Sequence, residues 1–142
     1  MAGYMTKLNG YVYNGAFAAA EELQNGQFAE ITAEGVALIK EKKDTVMRVA
    51  EKTTLWGMDA VVLDVVSVGD NEVFFVENEW DINDAEEYDT AKYKVKKGVY
   101  VRMHRPVVND QLIMTVEAGV AAALAVGDLV APAAGGTIAK NA

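Results

Sequence analysis

The chain has 142 residues, 51% of them apolar, with 21 acidic against 13 basic side chains, a formal charge of −8 and no cysteine. That length is one domain by ordinary size, able to bury roughly 70% of its extended-chain surface, which argues against wholesale disorder. Without cysteine there is no disulfide framework, thiolate nucleophile or thiolate-held zinc, and the charge disfavours a nucleic-acid partner, whose phosphates are held by Lys and Arg.

The first fifteen residues, MAGYMTKLNGYVYNG, lack a basic segment followed by an apolar run and do not read as a signal peptide. No stretch of the chain approaches the ~20 unbroken apolar residues of a membrane span, so no membrane is expected as a partner. The first fifteen residues hold three glycines and the near-isolated Tyr4, Leu8, Tyr11 and Tyr13. This pattern reads as an extended N-terminal arm over 1–15, or a loosely attached edge strand, with those four side chains as amphipathic anchors. Residues 16–142 read as a single β-rich domain.

Ala16–Leu23 has helix propensity, but Asn25-Gly26 between Leu23 and Phe28 predicts a type I′ hairpin turn and leaves any helix short. DTVMRVA (44–50) predicts a strand from its β-branched content. DAVVLDVVSV (59–68) is apolar on both faces apart from Asp64. VGDN turns the chain and EVFFVENEWDI returns, which predicts a β-hairpin whose first strand is covered on both sides.

ENEWDINDAEEYD (77–89) packs seven carboxylates into thirteen residues with no basic side chain. Read at a period of two, Phe74, Val76, Asn78, Trp80 and Ile82 form a core face and Phe75, Glu77, Glu79 and Asp81 a solvated or partner-facing acidic one. Asp84 with Glu87 makes a capping-box-like pattern for a single helical turn. As a glycosidase pair, Glu77 and Glu79, about 6.8 Å apart along a strand, can approach the roughly 5–5.5 Å of retaining enzymes. A regular acidic face, however, exposes both equally and does not split their pKa values. An EF-hand fails at Ala85 and at Glu86, where glycine is required, though Asp81, Asn83 and Glu87 leave a calcium or magnesium site of another kind as an alternative.

Counter-charge follows directly. Lys92, Lys94 and Lys96 share one face of an alternating stretch, KYKVKKGVYVRMHRP, with Lys97, Arg102, His104 and Arg105 behind them. Such cross-strand pairs contribute only about 0.2–1 kcal/mol each and set register more than stability. Between subunits, the same acidic edge (Glu77, Glu79, Asp81) and basic edge (Lys92, Lys94, Lys96) would join copies head to tail. His104 is the only histidine and Ser67 the only serine; His104 reads as a surface or strand-end residue. There is no P-loop, dinucleotide fingerprint or HExxH motif, so the expectation is no catalytic group, no metal and no cofactor.

In LIMTVEAGVAAALAVGDLVAPAAGGTIAK, Val116, Val120, Leu124 and Val126 share parity and small residues fall between, which suits a strand with an Ala-rich helix as the alternative. Gly135-Gly136 predicts the last hairpin, DLVAP against TIAK. The expected fold is mainly β, a compact barrel or sandwich with little helix and an extended N-terminal arm.

LQNGQFAEI, KTTLWGMDAVVLDV, EVFFVENEWDINDAEEYDTAKYKVKKGVYVRMHR and LAVGDLVAPAAGGTIAK, spanning nearly the whole chain, together resemble the small capsid decoration (cement) proteins of tailed bacteriophages. The resemblance implies a β-rich, tulip-like domain on the outer surface of the virion, made in the host cytoplasm. It would bind the major capsid protein of the expanded head and itself, often as a trimer. Its arm, Met1 to Gly15, would make the contact through Tyr4, Leu8, Tyr11 and Tyr13. The work is mechanical: a subunit bridging capsomers must detach before the pressurised lattice ruptures. A phage head-fibre base or carbohydrate-adhering surface module is the alternative, favoured if Trp56, Trp80 or the tyrosines form an exposed stacking patch.

Overall fold

The computed structural model describes residues 2–8, 13–14, 16–78 and 94–141. In chain order the elements are β1 (Gly3–Lys7), β2 (Tyr13–Asn14), β3 (Phe28–Thr32), β4 (Gly35–Leu38), β5 (Val46–Leu55) and β6 (Met58–Ser67). There follow β7 (Phe74–Val76), β8 (Met103–His104), β9 (Gln111–Thr115), α1 (Ala118–Ala123), β10 (Leu129–Ala133) and β11 (Thr137–Lys140). They form two antiparallel sheets, one of six strands ordered β1-β9-β6-β5-β10-β11 and one of five ordered β2-β8-β7-β3-β4. The ladders do not close on each other, so of barrel and sandwich the chain forms a sandwich-like mainly-β fold.

The inner faces meet in one core. β5 contributes Met47 and Val49, β6 contributes Val61, Leu63 and Val65, and β9 contributes Leu112 and Met114. Against them stand Phe28 and Phe75, register partners whose rings lie 5.2 Å apart and tilted by 55°. Burying each such side chain stabilises the fold by about 1.5–3 kcal/mol. A second core lies on the far side of the smaller sheet, where Phe74, Val76 and Met103 pack on Ala19, Leu23, Val95 and Val101. The segments 16–24 and 94–101 strap that face: Leu23 and Val95 exchange both backbone hydrogen bonds (2.7 and 2.9 Å), and Ala19 N–H donates to the Val99 carbonyl at 2.8 Å.

Several expectations are corrected by this arrangement. Ala16–Leu23 is a strap making isolated bridges, not a helix, because its apolar side chains are needed over β7. Asn25-Gly26 does turn, with Gln27 N–H donating to the Gln24 carbonyl. Only Gly26 is left-handed (φ 86), though, so this is the glycine position of a type II turn, and its two flanks do not pair: Leu23 bridges Val95 and Phe28 pairs with Phe75. β6 does not pair with the strand after VGDN. It pairs with β5 and β9, while the chain crosses at 68–73 to place β7 in the other sheet between β3 and β8.

The true hairpin is β5–β6, closed by Trp56 and Gly57, both left-handed (φ 48 and 82) between the pair Leu55↔Met58, a type I′ loop. β7 is buried on both faces, and Phe75 faces the core between the sheets rather than solvent. The stretch after residue 94 is mostly strap, with only Met103–His104 in the ladder. Residues 118–123 are helical, the Ala-rich alternative, with Val120 and Ala121 closing one end of the core. The last hairpin forms as predicted, Val130↔Lys140 to Ala133↔Thr137, with Gly135 and Gly136 both left-handed.

Candidate functional site

Three stretches singled out by the sequence (the N-terminal segment, the start of the acidic run and the basic segment) meet at one place in the fold. Residues 3–7 are an edge strand, β1, paired with β9. Ala2 is fully buried ahead of it and clipped to Thr115: its N–H donates to Thr115 Oγ1 at 2.9 Å, and its carbonyl accepts from Thr115 N–H at 2.8 Å. Gly26 makes this docking tight. A Cβ there would fall 2.3 Å from the Ala2 carbonyl oxygen, so only glycine lets the 24–27 turn approach β1. Further along, β2 pairs with β8, Tyr13 opposite His104. The N-terminal segment thus contributes to an edge of each sheet.

Glu77 ties β1 to the smaller sheet. One carboxylate oxygen accepts the Met5 N–H at 2.6 Å, and the other lies 2.9 Å from His104 Nε2. The carboxylate is placed by backbone pairing: Glu77 N–H donates to the Arg102 carbonyl at 3.0 Å. Asn78 is locked next to it. Its N–H donates to Asn25 Oδ1 (2.6 Å), its carbonyl accepts from Asn25 Nδ2 (2.9 Å), and its own Oδ1 accepts the Arg102 N–H (2.7 Å). His104, expected at the surface or at a strand end, does end β8 but is buried, its side chain 7% exposed against 30% for Glu77. A carboxylate whose two oxygens hold a backbone amide and an imidazole acts as a cross-link between β1, at the edge of the larger sheet, and β8 of the smaller one.

Outside this latch, Tyr4 and Leu8 point outward, 38% and 44% exposed. Tyr4 packs against Trp56 of the β5–β6 turn, ring centroids 6.2 Å apart and tilted by 43°. Lys94 and Lys96 flank the buried Val95 and are exposed, and Lys94 pairs with Glu22 of the opposite strap at 3.3 Å. Tyr11, Glu79, Asp81 and Lys92, with the oxygens Asn83 and Glu87, lie outside the described residues, as does the side chain of Tyr13. The structure therefore joins Glu77 to the N-terminal strand and to His104, and gives Lys94 a partner, Glu22, from the strap.

Sequence reading missed Trp56 as a turn residue, Asn25 as the anchor of Asn78, and the Glu77–His104 pair. The last two join residues far apart in the chain and carry no local signal; LWGM did carry one, a glycine between two strand-like runs. Among the described residues, no group of three or more His, Asp or Glu side chains is placed to hold a metal ion. Among them, too, no helix is long and apolar enough to cross a membrane. No protein-family model, curated protein or solved structure matches the chain.

Proposed function

We propose that the protein is a capsid decoration protein, which binds the major capsid protein on the outer surface of a phage head and stabilises the expanded, DNA-filled lattice. The observation that carries this reading is the N-terminal strand, which is anchored into the sandwich while turning Tyr4 and Leu8 to solvent. A contact that resists rupture of the expanded lattice needs both properties. Pulling on residues 3–7 loads the ladder to β9, the Ala2–Thr115 clip and the Glu77 latch together, in shear, so force at the anchors passes into the whole domain. Self-association on the shell would add avidity across its repeated sites. The resemblance in sequence supplies the partner.

Co-sedimentation of the purified protein with expanded, decoration-free heads tests the reading, with unexpanded proheads as control. Saturable binding to expanded heads alone is the expected result; a folded protein that binds neither particle refutes it. The exposed pair of Tyr4 and Trp56 is also the one observation favouring the carbohydrate-adhering alternative, since sugar rings stack on such faces. That alternative expects oligosaccharides to change the tryptophan fluorescence in the absence of heads.

A further inference from the structure

The outward side of the six-stranded sheet has an apolar cluster of its own, Ala2, Leu55, Ala60 and Ile113 with Met58 and Val62, which takes no residue from the smaller sheet. The register sorts this face into rows. Arg48, Asp64, Gln111 and Lys7 lie side by side across β5, β6, β9 and β1. In the next row stand Glu51, Val62, Ile113 and Tyr4. At the far end Leu55 faces Met58 beneath the Trp56 turn.

Two features of this face work against stability. Trp56 leaves 48% of its surface in solvent and holds a left-handed backbone that Asn or Gly would adopt at less cost. A large side chain that breaks the local rule in the open points to a role other than folding. Lys7 and Arg48 both line a groove of about 450 Å3 together with Asp64 and Asn109. Neither has an ion-pair partner among the described residues, and one Asp64 oxygen already accepts Gln111 Nε2 at 2.8 Å. Among the described residues these two exposed cations, with Asp64 between them in the row, form a positive patch on a chain of 21 acidic and 13 basic side chains, one that an outside carboxylate can pair with.

We propose that this face is the docking surface, and that its occupant is a protein surface offering an apolar side chain to Tyr4 and Trp56 and a carboxylate to Lys7 and Arg48. Tyr, Trp and Arg are the residues on which interface energy concentrates, and an apolar centre beside a charged rim is the usual anatomy of such contacts. A glycan fits less well. On this face the pairs next to the turn are Leu55↔Met58 and Thr53↔Ala60, so Thr53 brings a single hydroxyl among apolar side chains, and the Thr115 hydroxyl on the other side of Ala60 is already committed to Ala2. Under the function proposed above, on which this inference rests, the acidic surface belongs to the major subunit of the shell.

The test uses two variants of the full chain in the head-binding assay. Trp56→Asn removes the indole while giving the turn its preferred Asn-Gly pair, so the domain stays folded by circular dichroism. Lys7→Gln with Arg48→Gln removes both charges; Glu is avoided because at 48 it would face Asp64 directly. Each variant is expected to weaken binding to expanded heads about tenfold or more, and wild-type binding is expected to weaken with added salt. Wild-type protein that binds heads while either variant binds equally well overturns this inference alone. So does release of bound wild-type protein by a soluble oligosaccharide. Wild-type protein that fails to bind heads refutes the function itself, and this inference with it.

Discussion

At the scale of single residues, Glu77 shows how a side chain read as part of a solvated face is recruited into the structure. Its carboxylate accepts a backbone amide that points away from the β1–β9 ladder, so it also blunts an edge on which another strand could pair. Removing it in Glu77→Ala leaves the Met5 amide and the His104 ring without that partner. The expected loss is about 1–3 kcal/mol in urea denaturation. Glu77→Gln keeps an oxygen for Met5 and should lose less; equal stability of the alanine variant and the wild type would refute the latch.

Asp128 makes a second residue-scale case, in the dependence of stability on pH. Its carboxyl lies below the ordinary value of 3.8, chiefly because it accepts the Ala125 N–H at 2.9 Å. Partial burial works the other way, and the Lys140 ammonium at 3.4 Å and Lys52 add to the lowering. A carboxyl lowered in the folded state stabilises it above the unfolded value, and that contribution is lost as pH falls through the folded value. Thermal midpoints compared at about pH 6 and about pH 3 should therefore fall further for the wild type than for Asp128→Asn. An identical fall in both proteins would remove Asp128 from the acid limb.

Among the elements, β1 is the one whose status the structure changes most. As a free arm it could be deleted without effect on the fold; as an edge strand it pairs with half the amides of β9. Thr115 N–H donates toward β1, to the Ala2 carbonyl, and by alternation Ile113 N–H does so too, whereas Val116 N–H donates toward the β6 side, to Asp59. Deleting residues 1–8 should therefore speed hydrogen exchange at Ile113 and Thr115 and leave Met114 and Val116 slow. Unchanged protection at Ile113 and Thr115 would restore the free-arm reading.

The elements also show where sequence stops being readable. β5, β6 and the closing hairpin at Gly135-Gly136 were legible because their signals are local: β-branched runs and glycines at tight turns. The partner of β6 was not, because β9 lies more than forty residues further along and no local pattern records such a pairing. VGDN has good turn composition, so it drew β6 and β7 into a hairpin, while Trp56-Gly57 hid the real one behind a residue that rarely turns left-handed. Of the site, the N-terminal anchors and the charged stretches were visible as composition, but their meeting through Glu77 depends on both sheets being assembled.

For the molecule as a whole, the smaller sheet is a middle layer. One face meets the larger sheet through Phe28 and Phe75, and the other meets the straps 16–24 and 94–101 through Phe74 and Val76. This is why β7 is apolar on both sides, and why reading it by alternation misplaced Phe75. A middle layer cannot melt without uncovering both cores, so the domain should unfold in one cooperative step that includes the straps. Phe75→Ala and Phe74→Ala should each cost about 3–5 kcal/mol, because each leaves a cavity in a closed core. Both should shift a single urea transition without changing its slope. A cost below about 1 kcal/mol for Phe74→Ala, the range of surface substitutions, would mean that the straps are a loose cover. Force applied at the N-terminal strand would then pass through the Glu77 latch into the two sheets and leave the straps unloaded.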